Sequence, residues 1–424
     1  MVDVLAELLK DVPVPKFIPV KQLFDPQRVE NIPDAVRQAV QQAGVLERVQ
    51  PGKSIAIAVG SRGIANLPAL VREVVTIVKD RGAHPFIVPA MGSHGGATAQ
   101  GQEAMLDHLG VSEATVGAPV KAAMDVVQVG TSHTGIPVYT DALAAQADGI
   151  IVLNRIKPHT SFHANVESGL LKMLVIGLGK QKGADAAHAL GFAHMGEHIW
   201  DLSKTLLQKL PVLFGVAVLE NGYDQTAKVV CVPSEDLHEV EPLLLEQARA
   251  FMPRLLLRPL DVLIVDEIGK NISGVGMDPN ITGRFPNTLV KPDIEITRVA
   301  ILRLTEETDG NAAGIGLADI TTTAAEARID RVKGYMNSLT STSMASVKLP
   351  MVLWNDKMAI QAAIKTSNCP DISAVRAIRI KNTLHIDEIW ISEALLQEAQ
   401  EHANIDVLGP ATPLAFHSNG DLSL

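Results

Sequence analysis

SIAIAVGSRGIANLPALVREVVTIVKDRGAHPFIVPAMG, residues 54–92, reads as one strand–helix–strand unit. SIAIAVGS (54–61) is a run of β-branched and small apolar residues that ends in a Gly/Ser turn. PALVREVVTIVKDRG (68–82) has apolar residues at helical spacing, with Pro68 near its start and Gly82 at its end. Proline just inside and glycine just past a helix is the expected asymmetry. HPFIVPAMG (84–92) is the second strand.

The same alternation continues outward. ATAQGQEAMLDHLG (97–110) predicts a helix closed by glycine, GIIVLNRI (149–156) a strand, HIWDLSKTLLQKL (198–210) an amphipathic helix and VLFGVAVLENG (212–222) a strand. Strands alternating with helices predict a mostly parallel, doubly wound sheet. After the helical EVEPLLLEQARAFM, PRLLLRPL (253–260) reads as a connection. A second series then follows, with strands at 261–269, 296–304 and 384–392 and helices at 324–339 and 356–367. A chain of 424 residues exceeds what one core of ~250–300 residues supports. The expected fold class is therefore α/β in two domains, each a mostly parallel sheet flanked by helices, with the active site in the cleft between them. The expected division is 1–255, 256–398, and a tail, 399–424, that could pack back on the N-terminal domain. There is no internal repeat and no low-complexity tract.

Composition narrows the class. Hydrophobic residues make up 47% of the chain and aromatics only 4%, so aliphatic side chains fill the core. A formal net charge of −10 argues against a nucleic-acid or polybasic membrane binder. No window supplies ~18 uninterrupted apolar residues, and the ten of LLKMLVIGLG (170–179) read as a buried helix or turn. The N-terminus does not read as a secretory signal, and two distant cysteines, Cys231 and Cys369, make no disulfide framework. A cytoplasmic location is expected.

In open α/β sheets, ligands sit outside the carboxyl ends of the strands. His94 follows the strand at 84–92, His159 the strand at 149–156, and Arg62 the strand at 54–61. Three polar side chains on separate loops can converge on one cleft, although each alone could be an ordinary loop residue. ESGLLKMLVIGLGKQKGADAAH (167–188) is the second feature. Its glycines at 169, 177, 179 and 183 allow close backbone approach, and the turn could hold a phosphate, but GLGKQKG lacks the Walker A spacing. Lys172 stands in an apolar run, where a lysine becomes a nucleophile or covalent anchor, or merely snorkels from a helix. His188 ends this stretch; His194 and His198 follow in HMGEH, not an HExxH site, and read as helix-surface histidines. DEIGKNISGVGMDPNITGR (266–284) carries Lys270, four glycines and Arg284, and reads as a lid, a substrate clamp or a structural loop.

These motifs together resemble the nickel-pincer-nucleotide lactate racemase family. Gly92, Ser93 and His94 with Thr98, then Pro158 with His159, then Ser168 and Gly169 leading through two leucines to Lys172, then His188 sixteen residues on, keep the family's order. The likeness covers most of the first ~190 residues. By that resemblance Lys172 would hold a pyridinium bis-thio-acid mononucleotide, with Ser168 and Gly169 at the same turn, and His188 would be the protein ligand of its nickel. His94 and His159 would be acid/base groups on the two faces of a 2-hydroxy acid, and Arg62 and Lys270 would bind its carboxylate. The implied activity is a racemase or epimerase in which C2 gives up and regains hydride. Its partners would be the small-molecule substrate and the proteins that make the cofactor; a homodimer is compatible with these features.

The chain departs from the family pattern in three places. His159 lies 13 residues before Lys172 instead of ten, and His163 lies nine before it, so His163 competes for the second acid/base role. The turn reads SGLLK where the family has SGGxK, and GSRGIAN replaces an acidic-x-x-Arg motif. These differences fit a branch that acts on a 2-hydroxy acid other than lactate. Two readings compete with the racemase. One gives the three histidines to zinc or iron in a hydrolase or lyase. The other is a non-catalytic nucleotide-binding protein that uses GLGKQKGA.

Overall fold

The computed structural model describes residues 4–61, 63–189 and 191–423. The chain divides into two compact units, one of Asp25–Met252 and one of the residues up to Phe24 together with Pro253–Leu424.

In the Asp25–Met252 unit, five strands form one sheet in the order His84–Pro89, Ser54–Val59, Gly149–Arg155, Val212–Glu220, Thr226–Pro233. The first four run parallel and the last is antiparallel. Strand geometry sends successive side chains to opposite faces. Ala56, Ala58, Phe86, Val88, Ile150 and Val152 therefore enter one core with Ile199, Leu202, Leu244 and Leu245. Ile55, Ile57, Val59, Ile87, Ile151 and Leu153 enter the other with Val36, Val40, Leu70 and Val74. Helices Met195–Lys209 and Leu237–Phe251 cover the first face, and Ile32–Gln42 and Leu67–Asp80 the second. The unbroken apolar strands follow from this double burial. A small hairpin, Val126–Thr131 with Pro137–Asp141, stands apart from the sheet and was not anticipated from sequence.

The other unit has an eight-stranded sheet in the order Met351–Leu353, Ile320–Thr322, Ile296–Leu304, Leu260–Ile268, Ala377–Ile380, Glu388–Ser392, Phe17–Gln22, Ile405–Val407. Five strands are parallel, and the last three are antiparallel additions. The expected helix at 324–339 is two helices, Thr323–Glu326 and Arg331–Ser341, because Asp330 caps the second by accepting from the amides of Val332 and Lys333. Among the described residues no helix is long and apolar enough to cross a membrane.

The division expected from sequence differs from this at both ends of the chain. Residues up to Phe24 do not join the unit that follows them. Phe17–Gln22 pairs with Glu388–Ser392 on one side and Ile405–Val407 on the other. Its Phe17 enters a core with Val262, Ile264, Leu302, Met358 and Leu422. The tail after 399 packs here too, since Thr412 exchanges backbone hydrogen bonds with Phe17.

Phe17 is 1% exposed. Phe17→Ala is expected to lower unfolding free energy by about 3–5 kcal/mol through the cavity it leaves, read as a lower urea midpoint by circular dichroism. An unchanged midpoint would mean that the N-terminal strand is not held in this sheet.

Candidate active site

Strand order fixes where a site can form. From Ser54–Val59 the chain moves to one neighbour, His84–Pro89, and later to the other, Gly149–Arg155. Connections leaving the two adjacent strands Ser54–Val59 and Gly149–Arg155 thus diverge, which opens a crevice at their carboxyl ends. Ser61 follows the first strand, His94 the one beside it, and His159 the Gly149–Arg155 strand.

Lys172 reaches this end of the sheet on a short helical segment. Leu170–Lys172 is α-helical and continues as a wider turn over Met173–Gly177, where the Leu178 amide donates to the Met173 carbonyl five residues back at 2.8 Å. Such wide turns are uncommon and gather at functional sites. The segment lies against backbone on both sides. At Gly60 a Cβ would stand 3.3 Å from the Met173 side chain, and at Gly177 one would stand 2.7 Å from the Ala90 carbonyl oxygen. The Gly92 amide donates to the Gly177 carbonyl at 3.1 Å. Lys172 itself is half-buried.

His188 ends the next helix, Lys180–His188. Its Nδ1 bonds the Ala184 carbonyl oxygen at 2.7 Å. A carbonyl only accepts, so Nδ1 carries the hydrogen and the Nε2 lone pair is left over. Burial, reinforced by the positive charge of Lys172, pulls the His188 pKa below 6.5 and keeps the ring neutral at pH 7. A neutral imidazole with an available Nε2, tied through Nδ1 to backbone, is the form that binds a metal.

His159 and His188 meet the same ring. His159 lies 6.1 Å from the Phe192 ring and 4.4 Å from that of Phe162, and His188 meets Phe192 edge-on at 5.7 Å. The Ser161 amide donates to His159 Nδ1 at 3.1 Å, so the neutral His159 ring carries its hydrogen on Nε2. Glu167 braces this loop. Its buried carboxylate accepts from the amides of His159 (2.6 Å) and Ala164 (3.0 Å) and pairs with Arg249. His163, the competitor for His159, is exposed.

His94 is exposed, with Nδ1 2.5 Å from the Ser61 hydroxyl. A hydroxyl both donates and accepts, so His94 can gain or lose a proton without losing this partner. The loop before it, which holds Arg62, is anchored at Ala65, whose amide donates to Glu220 at 2.7 Å; Glu220 also pairs with Arg155. Arg62 itself lies outside the described residues.

Ser168 and Gly169 close the turn before Lys172. Ser168 exchanges backbone hydrogen bonds with Lys157, and Asn154 donates to the Gly169 carbonyl at 3.1 Å. The reason for glycine at 169 is Glu241, whose Oε1 would be 2.1 Å from a Cβ there. Glu241 comes from the helix Leu237–Phe251, and its Oε2 accepts the Leu171 amide at 2.9 Å. Its other oxygen is buried and, among the described residues, lies outside hydrogen-bond geometry. Burial pushes the carboxyl up to about 7, against the pull of the Leu171 and Leu170 amides. Sequence reasoning missed Ser61, Glu167, Glu220 and Glu241. Only their acidic or polar character inside apolar stretches could have marked them.

Three expectations change. Lys180 of GLGKQKGA is fully buried, so that loop does not offer its first lysine to a phosphate. His198 is not on the surface: it is 4% exposed and bonds the Ala187 carbonyl through Nδ1 at 3.0 Å. Among the described residues no three His, Cys, Asp or Glu side chains gather as a metal site, which leaves the zinc or iron reading without its ligand set. Lys270 belongs to the other unit, where its ammonium donates to the Gly274 carbonyl at 2.5 Å.

The donor set fits a cofactor that brings most of its own metal ligands. One neutral histidine would complete the metal site, and one half-buried lysine within electrostatic reach of it would hold the organic part.

Residues 9–199 match the family model of the lactate racemase N-terminal domain. Solved structures that the chain is similar to include the lactate racemase apoprotein from Thermoanaerobacterium thermosaccharolyticum, at 16% identity and a TM-score of 0.46 over 68% of this chain and 74% of that one. Another is a protein from Thermotoga maritima, at 16% identity and a TM-score of 0.48 over 75% of this chain and 81% of that one. No curated protein matches the sequence.

The Glu241 carboxyl gives a pH signature. Its folded pKa lies above the ordinary 4.5, so its contribution to stability is whole below pH 4.5 and is lost as pH rises through about 7. At about 1.4 kcal/mol per pH unit, that window is worth about 3 kcal/mol. Urea unfolding of the wild type and Glu241→Gln at pH 5 and pH 8 should show the variant losing less stability over this interval. Parallel losses would mean that Glu241 is not buried as described.

Proposed function

With the N-terminal domain of the lactate racemase family over residues 9–199 as the premise, we propose that the protein racemises or epimerises a 2-hydroxy acid using a nickel-pincer nucleotide. The observation that carries this reading is the state of His188: neutral, fixed through Nδ1, and within electrostatic reach of Lys172. Lys172 would hold the organic part of the cofactor, and Nε2 of His188 would complete the metal site. When bound, the group supplies a hydride acceptor for C2 of the substrate.

The protein's share is proton handling and position. In the oxidising half of the reaction a base removes the hydroxyl proton of the 2-hydroxy acid; in the return half an acid restores it. His94, beside a hydroxyl that can reverse its hydrogen bond, is suited to take and return a proton. His159 is braced by Glu167 through its backbone and, as a neutral ring, presents Nε2–H as a hydrogen-bond donor; to act as the acid its ring would take up a second proton at Nδ1. Its shared contact with Phe192 associates it with His188 and favours it over His163. Arg62 and Lys270 are proposed as partners of the substrate carboxylate.

Production alongside the cofactor's biosynthetic proteins, followed by intact mass, peptide mapping and nickel analysis, tests the reading. The expected result is an adduct on Lys172 with equimolar nickel. His188→Ala should keep the adduct and lose the metal, while Lys172→Ala should lose both. Unmodified Lys172, under conditions that load a lactate racemase control, would sink it. With a turned-over 2-hydroxy acid in hand, His94→Gln and His159→Gln should each lower kcat about 10²–10⁴-fold, the usual weight of a general acid or base.

A further inference from the structure

His94 stands on a loop with little rigidity of its own. Gly92, Gly95 and Gly96 all have positive φ, at 58°, 67° and 66°. Glycine is the residue that visits this region freely, and such a run confers conformational freedom unless something outside holds it. The structure contains that hold. Gln102, on the following helix and fully buried, donates through Nε2 to the carbonyls of Gly92 at 2.9 Å and His94 at 3.2 Å.

A primary amide can flip, exchanging its oxygen and nitrogen with almost no change of shape. Flipped, Gln102 would point its oxygen at two carbonyl oxygens and release the loop. Lys180 prevents this. Its ammonium donates to Gln102 Oε1 at 2.9 Å, and an ammonium has no acceptor with which to greet an NH₂. Lys180 is itself held by the Pro89 carbonyl at 2.6 Å and by Asp141 at 3.2 Å, with neither member of the ion pair exposed. Asp141 is fixed in turn by the amides of Leu143 and Ala144. Lys180 also takes a φ of +53°, a conformation lysine rarely adopts and glycine would adopt freely. The site keeps a lysine in glycine's conformation and buries its amine, where desolvation pulls the pKa down and Asp141 opposes that pull.

We propose that Lys180, paired with Asp141 and acting through the amide of Gln102, is the positioning residue for His94. This inference rests on the reading of His94 as an acid/base group for its functional meaning. Its geometric content can be measured on the protein without cofactor or substrate.

Histidine labelled with carbon-13 at Cε1 gives one correlation peak per imidazole, and His94→Gln assigns the relevant one. Gln102→Glu is the discriminating variant. It keeps an oxygen for Lys180 and adds an ion pair, so the fold should be retained, yet it turns a carboxylate oxygen on the Gly92 and His94 carbonyls. The His94 peak should shift and broaden, with the His159 and His188 peaks unmoved. Gln102→Met, and Lys180→Met combined with Asp141→Asn, should act in the same direction. A His94 peak unchanged in folded Gln102→Glu overturns the proposal. If every variant unfolds, relaxation in the wild type decides: a His94 ring more ordered than the exposed His163 supports the strut, and equal mobility overturns it. Failure of the racemase reading appears elsewhere, as an unmodified Lys172.

Discussion

The segment Leu170–Gly177 touches backbone on two sides, and the rest of the Asp25–Met252 unit is arranged to permit that. Gly177 lies against the Ala90 carbonyl, Gly60 lies under Met173, and Gly92 donates to Gly177. Contact at this range leaves no room for a Cβ at Gly177 and little at Gly60 and Gly92, so one docking event favours glycine on three separate stretches of chain. Because the segment cannot slide without collision, Lys172 is fixed relative to the strand ends. The wider turn that follows Lys172 lets the chain reach the Gly92 loop before entering the helix that ends in His188.

Buried ionisable groups do most of the holding around this segment. Glu241 meets the turn that leads into Lys172, Glu167 the loop of His159, and Lys180 with Asp141 the loop of His94. Each stands at a place where loop backbone offers amides or carbonyls that secondary structure does not satisfy. A charge in the interior is expensive to desolvate, and truncating one partner of such a contact is correspondingly damaging. Loops held this way resist small displacements more strongly than loops held by apolar contact, because hydrogen bonds are directional.

The sequence is informative wherever the controlling interaction is local. Apolar runs at 54–59, 84–89, 149–155 and 212–220 are strands because both faces are covered, and that leaves its mark in consecutive residues. Placing His94 and His159 just after strands needed only those strands. What could not be read depends on distance along the chain. Glu241 lies 70 residues beyond the amide it holds, and in its own helix it is one more glutamate among several. The same is true of Gln102, which looks like a helix-surface residue in AQGQEAMLDH and is fully buried. The FIPVKQ strand, residues 17–22, finds its partners only near the other end of the chain. Local periodicity carries no trace of such pairings. His198 illustrates the reverse error: four residues from His194 it suggested a shared surface face, whereas the carbonyl of Ala187 draws it inward.

That N-terminal strand has a consequence for the order in which the protein is made. Synthesis runs from the N-terminal side, and Glu388, where the neighbouring strand begins, follows Gln22 by more than 360 residues. At ~5–20 residues per second, roughly 20–70 s pass before the sheet it belongs to can close. The intervening unit, Asp25–Met252, is complete well before then and can fold on the ribosome in the meantime. Throughout that interval Phe17, Ile18 and Val20, all buried at the end, stand in an unpaired apolar strand. Lys16 just before it and Lys21 within it carry positive charge, the kind of residue that discourages premature pairing with other nascent chains.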